Sequence, residues 1–177
     1  ALHSSWNWEL ISDKPLDCDA ADRTFDPVEA AKTQVRAQKP AFVTFTVPAE
    51  LCALVWQHQR ALYKALMDCA WATLSSFAQN DRRLRGQGGA VAVLHTHSRR
   101  LEFHPHVHLA MPAGALDADG RLWRSLRTKN GQAFLFHHQA LASVFRARML
   151  AAMRALGLEP PTAAPERWVV DCKAVGS

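Results

Sequence analysis

Across 177 residues there is one tyrosine, Tyr63, and no pair of cysteines spaced as CxxC. Scattered as they are, Cys18, Cys52, Cys69 and Cys172 give neither a zinc ribbon nor a disulfide framework, and fit free thiols of a reducing cytoplasm. No apolar run approaches the roughly 18 residues of a membrane span, and the opening ALHSSWNWEL lacks a basic start followed by an apolar stretch. A membrane or secreted destination is therefore not expected. An HExxH motif is also absent, which removes the helix-borne zinc hydrolase. The first residue is alanine, as in an internal piece of a longer protein.

What is present is ordinary in amount and uneven in placement. Hydrophobic residues make up 49% and charged residues 21%, which suits a folded domain rather than a disordered chain. Residues 1–30 hold seven acids and two bases, whereas the rest holds 19 bases and nine acids, a net +10. A basic body with an acidic arm suggests a polyanionic partner, because each phosphate neutralised releases counterions. Residues 1–40 read as an arm of unknown role, and 41–177 as the domain.

Within that domain AFVTFTV, from Ala41, is β-branched and aromatic and reads as a strand. Pro48 opens a long helix to about Ala78, with Leu51, Leu54, Val55, His58, Leu62, Leu66, Cys69, Thr73 and Phe77 on one face. AVAVLHT and FHPHVHLAM form a hairpin through the basic link SRRLE. DADGR is a turn between the shorter strand-like pieces LWRSL and AFLF. A second helix from about Ala140 stops at Gly157, and RWVVDCK is the last strand. The order predicts an α+β fold: an antiparallel sheet with helices on one face, in ferredoxin-like βαββαβ order.

Five of the nine histidines, His95, His97, His104, His106 and His108, fall within fourteen residues. Strand side chains alternate, so His104, His106 and His108 share one face of a regular strand while Val107, Leu109 and Met111 share the other. The hairpin brings either His95 or His97 beside them, the choice resting on the turn. Pro105 complicates the strand, since proline favours an edge or a strand start, and could leave His104 just outside the ladder. An exposed polar face is the plain alternative to a metal site. His58, His137, His138 and Tyr63 sit where packing or a helix entrance accounts for them. Among the tryptophans, Trp56 and Trp71 belong to the core or its margin. Trp123, set among Arg121, Arg124 and Arg127, is the candidate for stacking on bases. Arg99 and Arg100, with Arg82, Arg83 and Arg85, are candidates for phosphate contacts, solvated loops being the alternative.

The segment HPHVHL resembles the histidine, hydrophobe, histidine motif of HUH endonucleases, which nick single DNA strands. FTVPAEL, AVLHTHSRRLEFHPHVHLAMPAGAL, FLFHHQALASVFRARML and RWVVDCK follow in one order, and together resemble the two-tyrosine rolling-circle transposases of the insertion-sequence ninety-one type. The resemblance implies that His106 and His108, with His95 or His104 as third ligand and His95 preferred, hold a magnesium or manganese ion. It further implies single-stranded DNA at transposon ends as partner, and nicking and joining through a phosphotyrosine. In that family the tyrosines lie on a helix beyond the strand that RWVVDCK resembles, past Ser177, and a cysteine-rich zinc module precedes the domain. The sequence is thus expected to be a bacterial, cytoplasmic, nucleoid-associated transposase fragment without its nucleophile. Two other classes compete: a ferredoxin-like nucleic-acid-binding module with incidental histidines, and a hydrolase that activates water, for which Glu102 is the one base to hand.

Overall fold

The computed structural model describes residues 40–117, 119, 122–125 and 136–174. The acidic arm and most of AFLF lie outside them. Strand β1 (Pro40–Thr46) leads into helix α1 (Ala49–Gln57), helix α2 (Gln59–Asn80) and the hairpin β2 (Val91–His97) and β3 (Phe103–Pro112). A short hairpin, β4 (Gly114–Leu116) with β5 (Trp123–Ser125), precedes helix α3 (His138–Ala155) and strand β6 (Val170–Ala174). The four long strands make one antiparallel sheet in the order β2-β3-β1-β6. This is the expected ferredoxin-like α+β arrangement, with the short hairpin β4–β5 as an addition.

Two-residue alternation decides what each face of the sheet does. Ala41, Val43 and Phe45 of β1, Val107, Leu109 and Met111 of β3, and Val170 and Cys172 of β6 are buried against the helices. From the other side Leu51 and Val55 of α1, Leu62, Leu66, Leu74 and Ala78 of α2, and Leu141, Phe145, Met149 and Met153 of α3 close the core. Phe45 meets Phe145 with ring centroids 4.8 Å apart, and Phe145 meets Trp168 edge-on at 5.5 Å. These rings join the central strand, the last helix and the entry to the last strand. Trp168 is thereby buried and unavailable to bases. The opposite face of the sheet has no helix of the described residues against it and carries the histidines.

Three expectations need correction. The long helix is two helices: at His58 the backbone leaves helical geometry (φ −125°, ψ 40°), and its N–H is shared between the carbonyls of Leu54 and Val55. α2 restarts from the His58 carbonyl, which accepts from Leu62 N–H at 3.0 Å. His58 is therefore exposed at a break rather than packed on an apolar face. The break separates α1, which packs across β3, from α2, which packs along α3. No glycine or proline announces it, so the periodicity runs through. Trp56, one turn before α2, is 58% exposed rather than core, whereas Trp71 is half-buried at the core margin. Lastly, the turn at Asp117 joins β4 to β5, not LWRSL to AFLF; Leu122 N–H donates to the Asp117 carboxylate at 3.1 Å, and Asp117 N–H to the Leu122 carbonyl at 2.9 Å.

The stop of α3 is as expected. Gly157 adopts φ +74°, and Leu158 N–H reaches back to the Met153 carbonyl at 3.0 Å, the six-residue closure for which glycine's left-handed freedom is suited. Because Phe145 joins two aromatic contacts at zero exposure, Phe145→Ala should lower the unfolding free energy by about 3–5 kcal/mol. Urea unfolding checks this, with a lower midpoint at unchanged slope as the expected outcome.

Candidate metal centre

On the open face the register sets His95 opposite His106, and His108 between Val93 on one side and Thr44 on the other. Ring centroids lie 5.3 Å apart for His95 and His106, 4.6 Å for His95 and His108, and 4.9 Å for His106 and His108. One nitrogen from each ring falls within 4.8 Å of the others. His95 is exposed and the other two are half-buried. Through His95 the trio is open to solvent.

Pro105 accounts for which histidines converge. Between the pairs His95 with His106 and His97 with Phe103, β2 contributes one residue and β3 two, His104 and Pro105. Proline has no N–H for the ladder, so a bulge at this point costs the sheet no hydrogen bond. The Pro105 carbonyl still accepts from Val47 N–H at 3.1 Å. With the register shifted, His97 turns its ring to Phe103 (5.9 Å), and its Nδ1 lies 2.9 Å from Thr96 Oγ1. The ring of His104 stands 5.6 Å from that of His106, outside the trio. Its carbonyl takes part nonetheless: His106 Nδ1–H donates to it at 2.6 Å.

That bond fixes a tautomer. A carbonyl can only accept, so His106 carries its proton on Nδ1 and presents the Nε2 lone pair outward. His108 Nδ1 lies 2.9 Å from Thr44 Oγ1, which can hold the same tautomer by accepting. Burial pushes the His108 pKa below that of an ordinary histidine, and the nearby rings of His106 and His95 add to the effect. His108 is thus kept neutral, the form that ligates metal.

Three imidazoles, two of them with outer hydrogen bonds on Nδ1, match the donor set of a divalent-ion site. Nitrogens about 2.1 Å from one ion lie about 3–3.5 Å apart, so small side-chain rotations would close the observed spacing. Thr44 is the residue that sequence reasoning missed. AFVTFTV reads only as a strand, although its alternation already places Thr44 and Thr46 on the face away from Val43 and Phe45.

The candidate DNA-contacting residues are more dispersed. Arg99 and Arg100 are exposed in the β2–β3 turn, where Leu101 takes φ +63° and Ser98 N–H donates to the Glu102 carbonyl. Arg82, Arg83 and Arg85 are exposed after α2, and Arg83 is paired with Asp81 at 3.1 Å. Arg124 is exposed on β5, while Trp123 is half-buried with its indole laid on Gly114, where an added Cβ would come within 2.4 Å of the ring. Arg121 and Arg127 lie outside the described residues. His137 and His138, exposed at the start of α3, stack on each other at 5.2 Å.

Residues 89–176, from just before β2 through β6, match the family model Y2_Tnp, described as "Putative transposase". The matched segment, from residue 89 to residue 176, is similar to this transposase family. Two curated relatives agree: the "Putative transposase y4qJ" of Sinorhizobium fredii (strain NBRC 101917 / NGR234), 34% identical over 104 residues, and the "Transposase for insertion sequence element IS801" of Pseudomonas savastanoi pv. phaseolicola, 39% identical over 99 residues. Those alignments take in 59% and 56% of this chain but only 25% and 21% of the relatives, so this chain spans about a quarter of their length. The resemblance to two-tyrosine HUH transposases thus holds. A solved structure of TrwC complexed with a 27-mer DNA comprising the recognition hairpin and the cleavage site shares the fold, with a TM-score of 0.53 over 76% of this chain and 49% of that one at 16% identity. Thr44 and Trp56 precede the matched family segment, so their placement is visible in the structure alone.

Two predictions follow from the trio. Thr44→Val should weaken manganese binding about 10- to 100-fold in calorimetry, while Thr44→Ser keeps it near wild type. For pH, unfolded His108 takes up a proton near its ordinary pKa of about 6.5, whereas folded His108 resists it to lower pH. The unfolded state then binds more protons in that window, so the metal-free protein should lose thermal stability as pH falls below about 6.5, and His108→Gln should flatten the decline. A steeper decline in the variant would contradict this assignment.

Proposed function

We propose that this chain is the metal-holding, single-strand-binding part of an HUH-type transposase, and that the complete protein nicks and rejoins DNA at transposon ends. The observation that carries the reading is the convergence of His95, His106 and His108 on the open face of a ferredoxin-like sheet, within a transposase family segment. Residues 41–177 constitute the HUH-type domain and the acidic residues 1–40 an arm of separate role. The working compartment is the bacterial cytoplasm, at the nucleoid. Among the described residues no helix is long and apolar enough to cross a membrane.

A bound magnesium or manganese ion would supply Lewis-acid polarisation of the scissile phosphate. The chain's own residues do the rest of the preparation. His106 is held in the ligating tautomer by the His104 carbonyl, Thr44 can hold His108 the same way by accepting, and His95 completes the face from the neighbouring strand. Arg99 and Arg100 of the β2–β3 turn, Trp123 and Arg124 of β5, and Arg121 and Arg127, which neighbour β5 in sequence, contact the strand's phosphates and bases. In the complete protein a tyrosine oxygen attacks phosphorus, the bond to the 3′ oxygen breaks, and the products are a 5′ phosphotyrosine and a free 3′ hydroxyl. The energy of the phosphodiester is kept for rejoining. Tyr63 is half-buried against the core, with a pKa raised by burial, and is not that nucleophile.

Two measurements test this. Manganese calorimetry on this chain should show one site that His106→Ala, His108→Ala together abolish, with the circular dichroism unchanged. In the longer gene product the same pair should remove a manganese-dependent covalent adduct with a single-stranded oligonucleotide of the element's end. Salt-sensitive DNA binding with no metal site would instead favour a non-catalytic nucleic-acid-binding module.

A further inference from the structure

The helix break at His58 leaves α1 ending in a large aromatic that the core does not use. Trp56 keeps 58% of its surface open while Leu51 and Val55 on the same helix are buried. Its indole stands edge-on to Phe103, centroids 4.9 Å apart at 84°, and Phe103 in turn stands edge-on to His97 at 5.9 Å. These three rings run along the end of the sheet where the β2–β3 hairpin outreaches β1, whose last paired residue, Thr46, faces His106. At the tip of that hairpin are Arg99 and Arg100, both exposed and in no ion pair among the described residues, and Leu101, 83% exposed.

From this arrangement we infer that Trp56, backed by Phe103, is a stacking platform for a base of the single strand whose phosphate lies at the His95, His106, His108 centre. The inference rests on the DNA-binding reading above and names its base contact. Three considerations select a nucleic-acid base as the occupant. A flat π-face with a rigid aromatic behind it accepts any base, and arginines next to it meet the phosphates that flank that base. The platform is three residues from His106 along β3, roughly 10 Å of strand, which about three nucleotide rises of a stacked strand cover. Trp123, the alternative, has its ring laid on Gly114 and its Nε1 buried, so less of its face is open.

The test is binding of the full chain, with manganese, to a fluorescein-labelled 12-nucleotide single strand and to the same strand made abasic, read by anisotropy. Trp56→Ala should weaken binding to the normal strand about tenfold, Trp56→Phe should restore most of it, and on the abasic strand the three proteins should bind alike. Wild-type binding by Trp56→Ala, or an equal loss on both strands, overturns the platform while leaving the DNA-binding reading in place. A change of oligomeric state in Trp56→Ala without a change in DNA affinity assigns the surface to a second copy of the chain and also overturns it. If the wild-type chain binds neither strand, both readings fall.

Discussion

Because β3 lies between β2 and β1 with Val107, Leu109 and Met111 sealed against the helices, His106 and His108 have nowhere to go but the opposite face. A one-residue slip would put imidazoles in the core and leucine in water, so the hydrophobic pattern that folds the domain also fixes the chemistry's position. Everything else at the site is a neighbour of that strand. β2 supplies His95 on one flank, β1 supplies Thr44 on the other, and the bulge at Pro105 decides that His97 and His104 turn elsewhere. The candidate metal site is thus a consequence of sheet register rather than of a loop.

Much of this was legible in the residues themselves. Alternation in FHPHVHLAM sets His106 and His108 on one face but counts His104 with them, which the bulge removes, and the order of periodic segments predicts the ferredoxin-like sheet. The hairpin SRRLE limited the partner to His95 or His97, and the choice between them turned on a bulge. A bulge leaves only an indirect trace, here a proline in a central strand, so the sequence named the disturbance without stating its outcome.

What stayed hidden had specific physical causes. The break at His58 involves no glycine or proline, and the apolar period passes through it undisturbed; tertiary packing of α1 on β3 and α2 on α3 overrides local propensity there. The period accordingly puts Trp56 in the core or at its margin, whereas it stands at the surface. Thr44 was invisible for a different reason, since threonine is ordinary in strands and only the partner across the ladder gives its hydroxyl a task. The pairing of the short strands was misread because GAL is too brief to carry a period of its own.

The bond from His106 to the carbonyl of residue 104 has a consequence for how such a site can change over generations. Main-chain oxygen is present whatever side chain the codon specifies, so position 104 can drift without removing the acceptor. Its orientation, however, depends on the following proline, which holds residue 104 in extended backbone. Mutational sensitivity is thereby displaced by one codon, away from a histidine that looks like chemistry and onto a proline that looks like punctuation.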